Sequence, residues 1–186
     1  MREGERRIPR IRSFVAIDIP GAQREALAAH LAGCRAVAPD YRWVSPANLH
    51  LTLRFLGNLP PELFEAVRVA LASVRRPPFR MAVGAPGMFG SPARPRVIWL
   101  GITEGGESLT SLADAVEGST RVAGLEPADH PFQAHLTLAR AGAGRLPDLP
   151  PAPALDAWSV SEFVLYQSRL GRPAPRYIPI ERYALG

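Results

Sequence analysis

Lysine is missing altogether: all 22 basic side chains of this 186-residue chain are arginines. Cysteine occurs once, at Cys34, which excludes an internal disulfide and a cysteine zinc cluster. A small, half-buried residue near a helix end is expected there. No apolar run approaches the eighteen or so residues of a membrane span. The basic stretch from Met1 to Arg12 has no hydrophobic segment of signal-peptide length behind it. The expectation is a cytoplasmic monomer with no membrane contact and no obligate protein partner. What the chain does have is a formal net charge of +5, which fits an anionic partner such as RNA without requiring one. Residues 1–12, with Arg2, Arg6, Arg7, Arg10 and Arg12, read as a solvated, flexible basic extension. At 186 residues, with 47% hydrophobic and 21% charged positions, the rest is of one-domain size. That domain is expected over residues 13–186.

Along the chain, Ser13 to Ile19 reads as a strand and Ala22 to Leu31 as a helix closed at Gly33. Tyr41 to Val44 reads as a short strand, followed by a turn over Ser45 to Asn48. Leu63, Val67, Ala70, Leu71 and Val74 recur at helical spacing behind Pro60-Pro61. Leu109, Leu112, Ala113 and Val116 do the same in a second helix over 107–122, closed at Gly124. Phe79 to Val83 and Arg96 to Ile102 read as strands flanking a Gly/Pro-rich loop from Gly84 to Pro95. Residues 142–153 read as another loop, and Trp158 to Gln167 and Tyr177 to Tyr183 as the last strands. The fold class is α+β and bilobal. Two similar antiparallel sheets, each backed by helices, face each other across a central cleft.

One tetrapeptide occurs twice. His50-Leu51-Thr52-Leu53 and His135-Leu136-Thr137-Leu138 are identical, and two of the four histidines in the chain open them. In a strand, side chains alternate between faces, so each copy offers a leucine face to a core and a His-Thr face to the other side. Two such strands side by side place two imidazoles and two hydroxyls around one cleft. A single His-X-Thr-X strand means little, but two copies at comparable places in similar halves carry weight. At neutral pH one imidazole can take a proton from an attacking oxygen while the other gives one to the leaving oxygen. Such a pair suits in-line displacement at phosphorus. The threonine hydroxyls can donate to non-bridging phosphate oxygens. Arg54 is in phase with His50 and Thr52 and is expected in the cleft as a phosphate clamp. Arg140 is out of phase with His135, and reaching the cleft would require the strand to bend or end near Ala139. A metal site is the other chemical option, but no Asp or Glu accompanies either motif strand to supply a third ligand. No metal and no cofactor are expected.

The paired strands resemble the two His-X-Thr-X motifs of the two-histidine (2H) phosphoesterases. RWVSPANLHLTLRFLGNL and PFQAHLTLAR resemble more narrowly the bacterial RNA 2′,3′-cyclic phosphodiesterases, historically named 2′-5′ RNA ligases. SFVAIDIP, RPRVIWLGI and FVLYQSRL extend the likeness over almost the whole chain. Ala134 departs from it, standing where the family usually has proline. The resemblance implies a bilobal fold and metal-free hydrolysis of a terminal 2′,3′-cyclic phosphate to a 2′-phosphate, with 2′-5′ ligation as the reverse reaction. It implies His50 as proton donor to the leaving 3′-oxygen and His135 as proton acceptor from water. Thr52 and Thr137 become phosphate donors, and Arg140 matches the arginine of the second motif. The expected partner is RNA, or an oligonucleotide, with a 2′,3′-cyclic phosphate end. The alternatives are a phosphodiesterase of small cyclic nucleotides or of 2′-5′ oligonucleotides, and a non-catalytic RNA-binding module. Phe55 and Phe132 flank the motifs, where either base stacking or core packing would suit them.

Overall fold

Among the described residues three α-helices form where the sequence predicts them: α1 (Gly21–Val37), α2 (Pro61–Leu71) and α3 (Gly106–Val122). The structure, a computed structural model, describes residues 9–140, 145, 148–172 and 174–186. The first eight residues of the basic extension, and residues 142–144, 146 and 147 of the second expected loop, lie outside them. On α1, Leu27, Leu31 and Cys34 are buried at helical spacing. That stripe carries the helix through Gly33, which is not among the glycines with positive φ and so does not close it. The helix stops at Ala38 instead, ahead of Pro39, which has no N–H to continue the ladder. Gly124 does close α3: its φ is +100° and its N–H donates to the Arg121 carbonyl at 2.9 Å. No helix among the described residues is long and apolar enough to cross a membrane.

The strands are β1 (Ile11–Asp18), β2 (Arg42–Trp43), β3 (His50–Leu59), β4 (Phe79–Ser91), β5 (Arg94–Glu104), β6 (His135–Arg140), β7 (Trp158–Val160), β8 (Glu162–Arg169) and β9 (Arg176–Ala184). They form two sheets, ordered β3-β1-β8-β9 and β2-β6-β5-β4-β7, with every pairing antiparallel. The α+β architecture of two antiparallel sheets is as expected, but the sheets are not the two halves of the sequence. The first sheet joins N-terminal β1 and β3 to C-terminal β8 and β9, while β2 pairs with β6 in the second. The stretch expected as one strand from Trp158 to Gln167 is two, and the chain changes sheet at Ser161. A one-residue break suffices because β7 and β8 pair with different partners.

The expected loop at 84–95 is instead the body of a hairpin. β4 and β5 pair from Ala82 and Glu104 out to Ser91 and Arg94. Its glycines admit bulk from across the ladder: a Cβ at Gly87 would overlap the Trp99 indole. The basic extension ends earlier than expected too, since Ile11 and Arg12 already belong to β1.

One core underlies both sheets. Leu51, Leu53, Leu136 and Leu138 are all buried in it, each contributing about 1.5–3 kcal/mol of burial. Val15 and Ile17 of β1 face the same core. The opposite face of that sheet carries a smaller apolar cluster of Phe14, Ala16, Val164 and Tyr166, with Tyr177 packed against it. This sheet face is therefore partly aromatic rather than wholly polar.

Candidate active site

The two motif strands repeat each other in structure as in sequence. From His50 to Phe55 and from His135 to Arg140 the side chains run half-buried, buried, half-buried, buried, buried, exposed. The two buried residues in a row mark a β-bulge in each strand. On β3, Thr52 pairs with Ala16 and Arg54 with Val15, which leaves Leu53 without a partner. On β6, Thr137 pairs with Trp99 and Ala139 with Ile98, which leaves Leu138 without one. An extra residue inverts the alternation beyond it.

Arg54 is accordingly not in the cavity that holds His50. The bulge at Leu53 turns it to the core side, where its side chain is only 4% exposed. It pairs there with Glu117 of α3 and donates to the Glu126 carbonyl. Burial pushes the Arg54 guanidinium below its ordinary range. The same device brings Arg140 in: it lines a cavity of about 480 Å³ together with His50, Thr52, Phe55 and Thr137. Arg54 was expected from strict alternation, and Arg140 was out of phase by the same rule; a bulge in each strand reverses both. Stripping the buried guanidinium of its partner should be costly. Glu117→Ala is expected to destabilise the fold by about 3 kcal/mol in denaturant unfolding. Joint replacement of Arg54 and Glu117 by Met and Leu should cost much less, and an equal loss would deny the pair its role.

The imidazoles are held alike. His50 Nδ1–H donates to the Asn48 carbonyl at 2.7 Å, and His135 Nδ1–H donates to the Gln133 carbonyl at 2.7 Å. Fixing the proton on Nδ1 leaves Nε2 as the working nitrogen of each neutral ring. Nε2 of His50 stands 3.1 Å from Thr52 Oγ1. Aromatic rings wedge both. Phe14 and Tyr177 lie at centroid distances of 4.8 and 5.2 Å from His50, and Phe89 and Trp99 at 4.9 and 6.2 Å from His135. His135 lines a larger groove that adjoins the His50 cavity and shares Thr52 and Phe55 with it. Burial is the main cause pushing both histidines below their ordinary range, and the Arg140 charge depresses both further. One guanidinium thus acts on both imidazoles.

Of the expected site residues, His50, Thr52, Thr137 and Arg140 line one cavity and His135 the adjoining groove; Arg54 borders that groove, paired with Glu117, and is absent from the His50 cavity. Phe55 is 52% exposed with the Arg12 guanidinium 4.6 Å from its ring centroid, whereas Phe132 packs against the core. Arg12 is therefore a cleft residue, not part of a solvated tail. Phe14, Asp18, Phe89, Trp99 and Tyr177 went unread in the sequence. In SFVAIDI both faces are apolar, so alternation could not single out Phe14 and Asp18. Phe89 sat in the supposed loop. His30 packs beside Cys34, with Nε2 3.4 Å from Sγ, and His130 is exposed along the groove. Among the described residues no three His, Cys, Asp or Glu side chains are grouped to hold a metal ion.

The two bulged His-Leu-Thr-Leu strands thus repeat each other around adjoining cavities. The family described as LigT like Phosphoesterase matches residues 17–99 and again 100–177, and the chain belongs to it. It is 33% identical to the RNA 2′,3′-cyclic phosphodiesterase of Escherichia coli K12, over 94% of this chain and 96% of that protein. It is 34% identical to the one of Thermus thermophilus, over 94% and 90%. The crystal structure of apo E. coli LigT superposes with a TM-score of 0.80 at 32% identity, covering 95% of this chain and 98% of that one. LigT has also been solved in complex with 3′-AMP, with a TM-score of 0.79, 32% identity and coverage of 95% and 98%.

Proposed function

We propose that this enzyme hydrolyses RNA 2′,3′-cyclic phosphate ends to 2′-phosphomonoesters by a metal-independent, two-histidine mechanism. The observation that supports it most is the matched pair of imidazoles, each with Nδ1–H on a carbonyl two residues back and both under the charge of Arg140. The names of the relatives point to the same substrate. His135 Nε2 takes a proton from water as the water oxygen bonds to phosphorus. The bond from phosphorus to the 3′-oxygen breaks, and His50 Nε2 delivers a proton to that oxygen. Thr52, Thr137 and Arg140 donate to the non-bridging oxygens as charge builds there. Burial pushes both imidazoles toward the neutral form in the unliganded site. The anionic phosphate is what favours the proton on His50 when substrate enters. With a 5′-hydroxyl in place of the leaving 3′-oxygen, the reverse reaction is 2′-5′ ligation by the same two groups.

An RNA ending in a 2′,3′-cyclic phosphate, incubated with the enzyme and EDTA, is expected to yield a 2′-phosphate and a free 3′-hydroxyl. Turnover of small cyclic nucleotides or 2′-5′ oligonucleotides in preference to that RNA would move the substrate class. Binding without turnover would leave an RNA-binding module. Loss of activity with EDTA, restored by a divalent ion, would replace the two-histidine mechanism with a metal one.

A further inference from the structure

The two histidines share their immediate geometry but not their surroundings. His50 pairs across the ladder with Asp18 of β1, and both line a cavity of about 220 Å³ with Arg24, Tyr166 and Tyr177. The Asp18 carboxylate is fixed there. It accepts a hydrogen bond from the Tyr166 hydroxyl and another from Arg182 Nη2 at 3.1 Å. His135 pairs instead with Gly101 of β5. Asp114, Glu117, Glu126 and Asp129 lie along its groove, but Asp114, Glu126 and Asp129 are exposed to solvent, which screens their charge, and Glu117 is paired with Arg54.

We propose that Asp18 is a positioning residue for the acid step: its carboxylate, held beside His50 by Tyr166 and Arg182, favours the added proton on that imidazole over His135 and leaves His135 as the base. The proposal rests on the phosphodiesterase reading of the site and gives its two roles a physical origin in this chain.

The groups around His50 are few and their signs are clear. Asp18 and Arg12 approach from β1, Arg24 from α1, Arg140 from β6, Tyr166 from β8 and Tyr177 from β9. Arg24 is occupied by the carbonyls of Ile19 at 2.9 Å and Pro46 at 2.7 Å. Burial lifts both tyrosines above their ordinary range, so they stay neutral. Burial, Arg140 and Arg24 all disfavour an imidazolium at His50; the Asn48 carbonyl and Asp18 oppose them. The carbonyl has a counterpart at His135, in Gln133, but Asp18 does not. Among the groups that favour an imidazolium, Asp18 is therefore the one that His50 has and His135 lacks.

Asp18→Asn keeps the shape and an oxygen for the tyrosine hydroxyl while removing the charge. Imidazole NMR titration of the free protein should show the His50 midpoint falling and the His135 midpoint unmoved. In kcat/KM the alkaline limb, set by the acid, should move to lower pH while the acidic limb stays. The loss at alkaline pH should stay below the roughly 10²–10⁴-fold value of a whole proton transfer. An unmoved His50 midpoint, equal shifts in both histidines, or a shift of the acidic limb alone would overturn the assignment. If the unsubstituted protein failed to hydrolyse cyclic-phosphate RNA, the functional reading would fall, and the NMR titration would still decide the question of Asp18.

Discussion

His50→Ala and His135→Ala are each expected to slow hydrolysis of an RNA 2′,3′-cyclic phosphate by roughly 10²–10⁴-fold, about 3–5 kcal/mol of barrier. Each removes one proton transfer from the same transition state. The double variant should therefore lose far less than the product of the two single losses. Thr52→Ala and Thr137→Ala remove neutral hydrogen-bond donors and should cost less than either histidine. All four residues are half-buried on the cleft side of strands whose leucines carry the core, so unfolding midpoints should move little. His30 and His130 serve as controls, one packed on α1 and the other exposed along the groove. A folded His30→Ala or His130→Ala variant as slow as the motif variants would mean that the catalytic pair is wrongly assigned.

The part of this site legible in the sequence is the part governed by strict alternation. Leu51, Leu53, Leu136 and Leu138 are buried, and the histidines and threonines face the other way. The alternation rule holds only while every residue has a partner across the ladder, and it fails at Leu53 and Leu138. Neither bulge has a glycine or proline to betray it. The only internal hint was that Arg140 would need a bent strand to reach the cleft, which is what the Leu138 bulge provides. Family resemblance placed Arg140 where alternation did not, and nothing comparable corrected Arg54. The β4–β5 hairpin was hidden for the opposite reason. Its Gly and Pro residues read as loop, yet the two strands pair from Ala82 and Glu104 to their tip. Missing the hairpin meant missing Phe89, one of the rings packed on His135. Asp18 escaped because its strand has an apolar cluster on each face.

Arg140→Ala is expected to lower kcat by roughly 10²–10³-fold, the value of a donor aimed at charge that develops in the transition state. Its guanidinium fork matches two phosphate oxygens, so Arg140→Lys should recover only part of the loss. The pH dependence separates this clamp from a general effect of the cleft. Arg140 depresses both histidines, so its removal should raise both and move both limbs of the kcat/KM profile to higher pH. The lysine variant keeps the charge and should leave the limbs nearer their original places. Arg54→Ala provides the contrast: that guanidinium lies on the core side with Glu117, so its loss should lower stability without the Arg140 signature in the pH profile. A loss of rate in Arg140→Ala with neither limb displaced would show that the guanidinium does not act on both imidazoles, and the placement of the phosphate between them would lose its support.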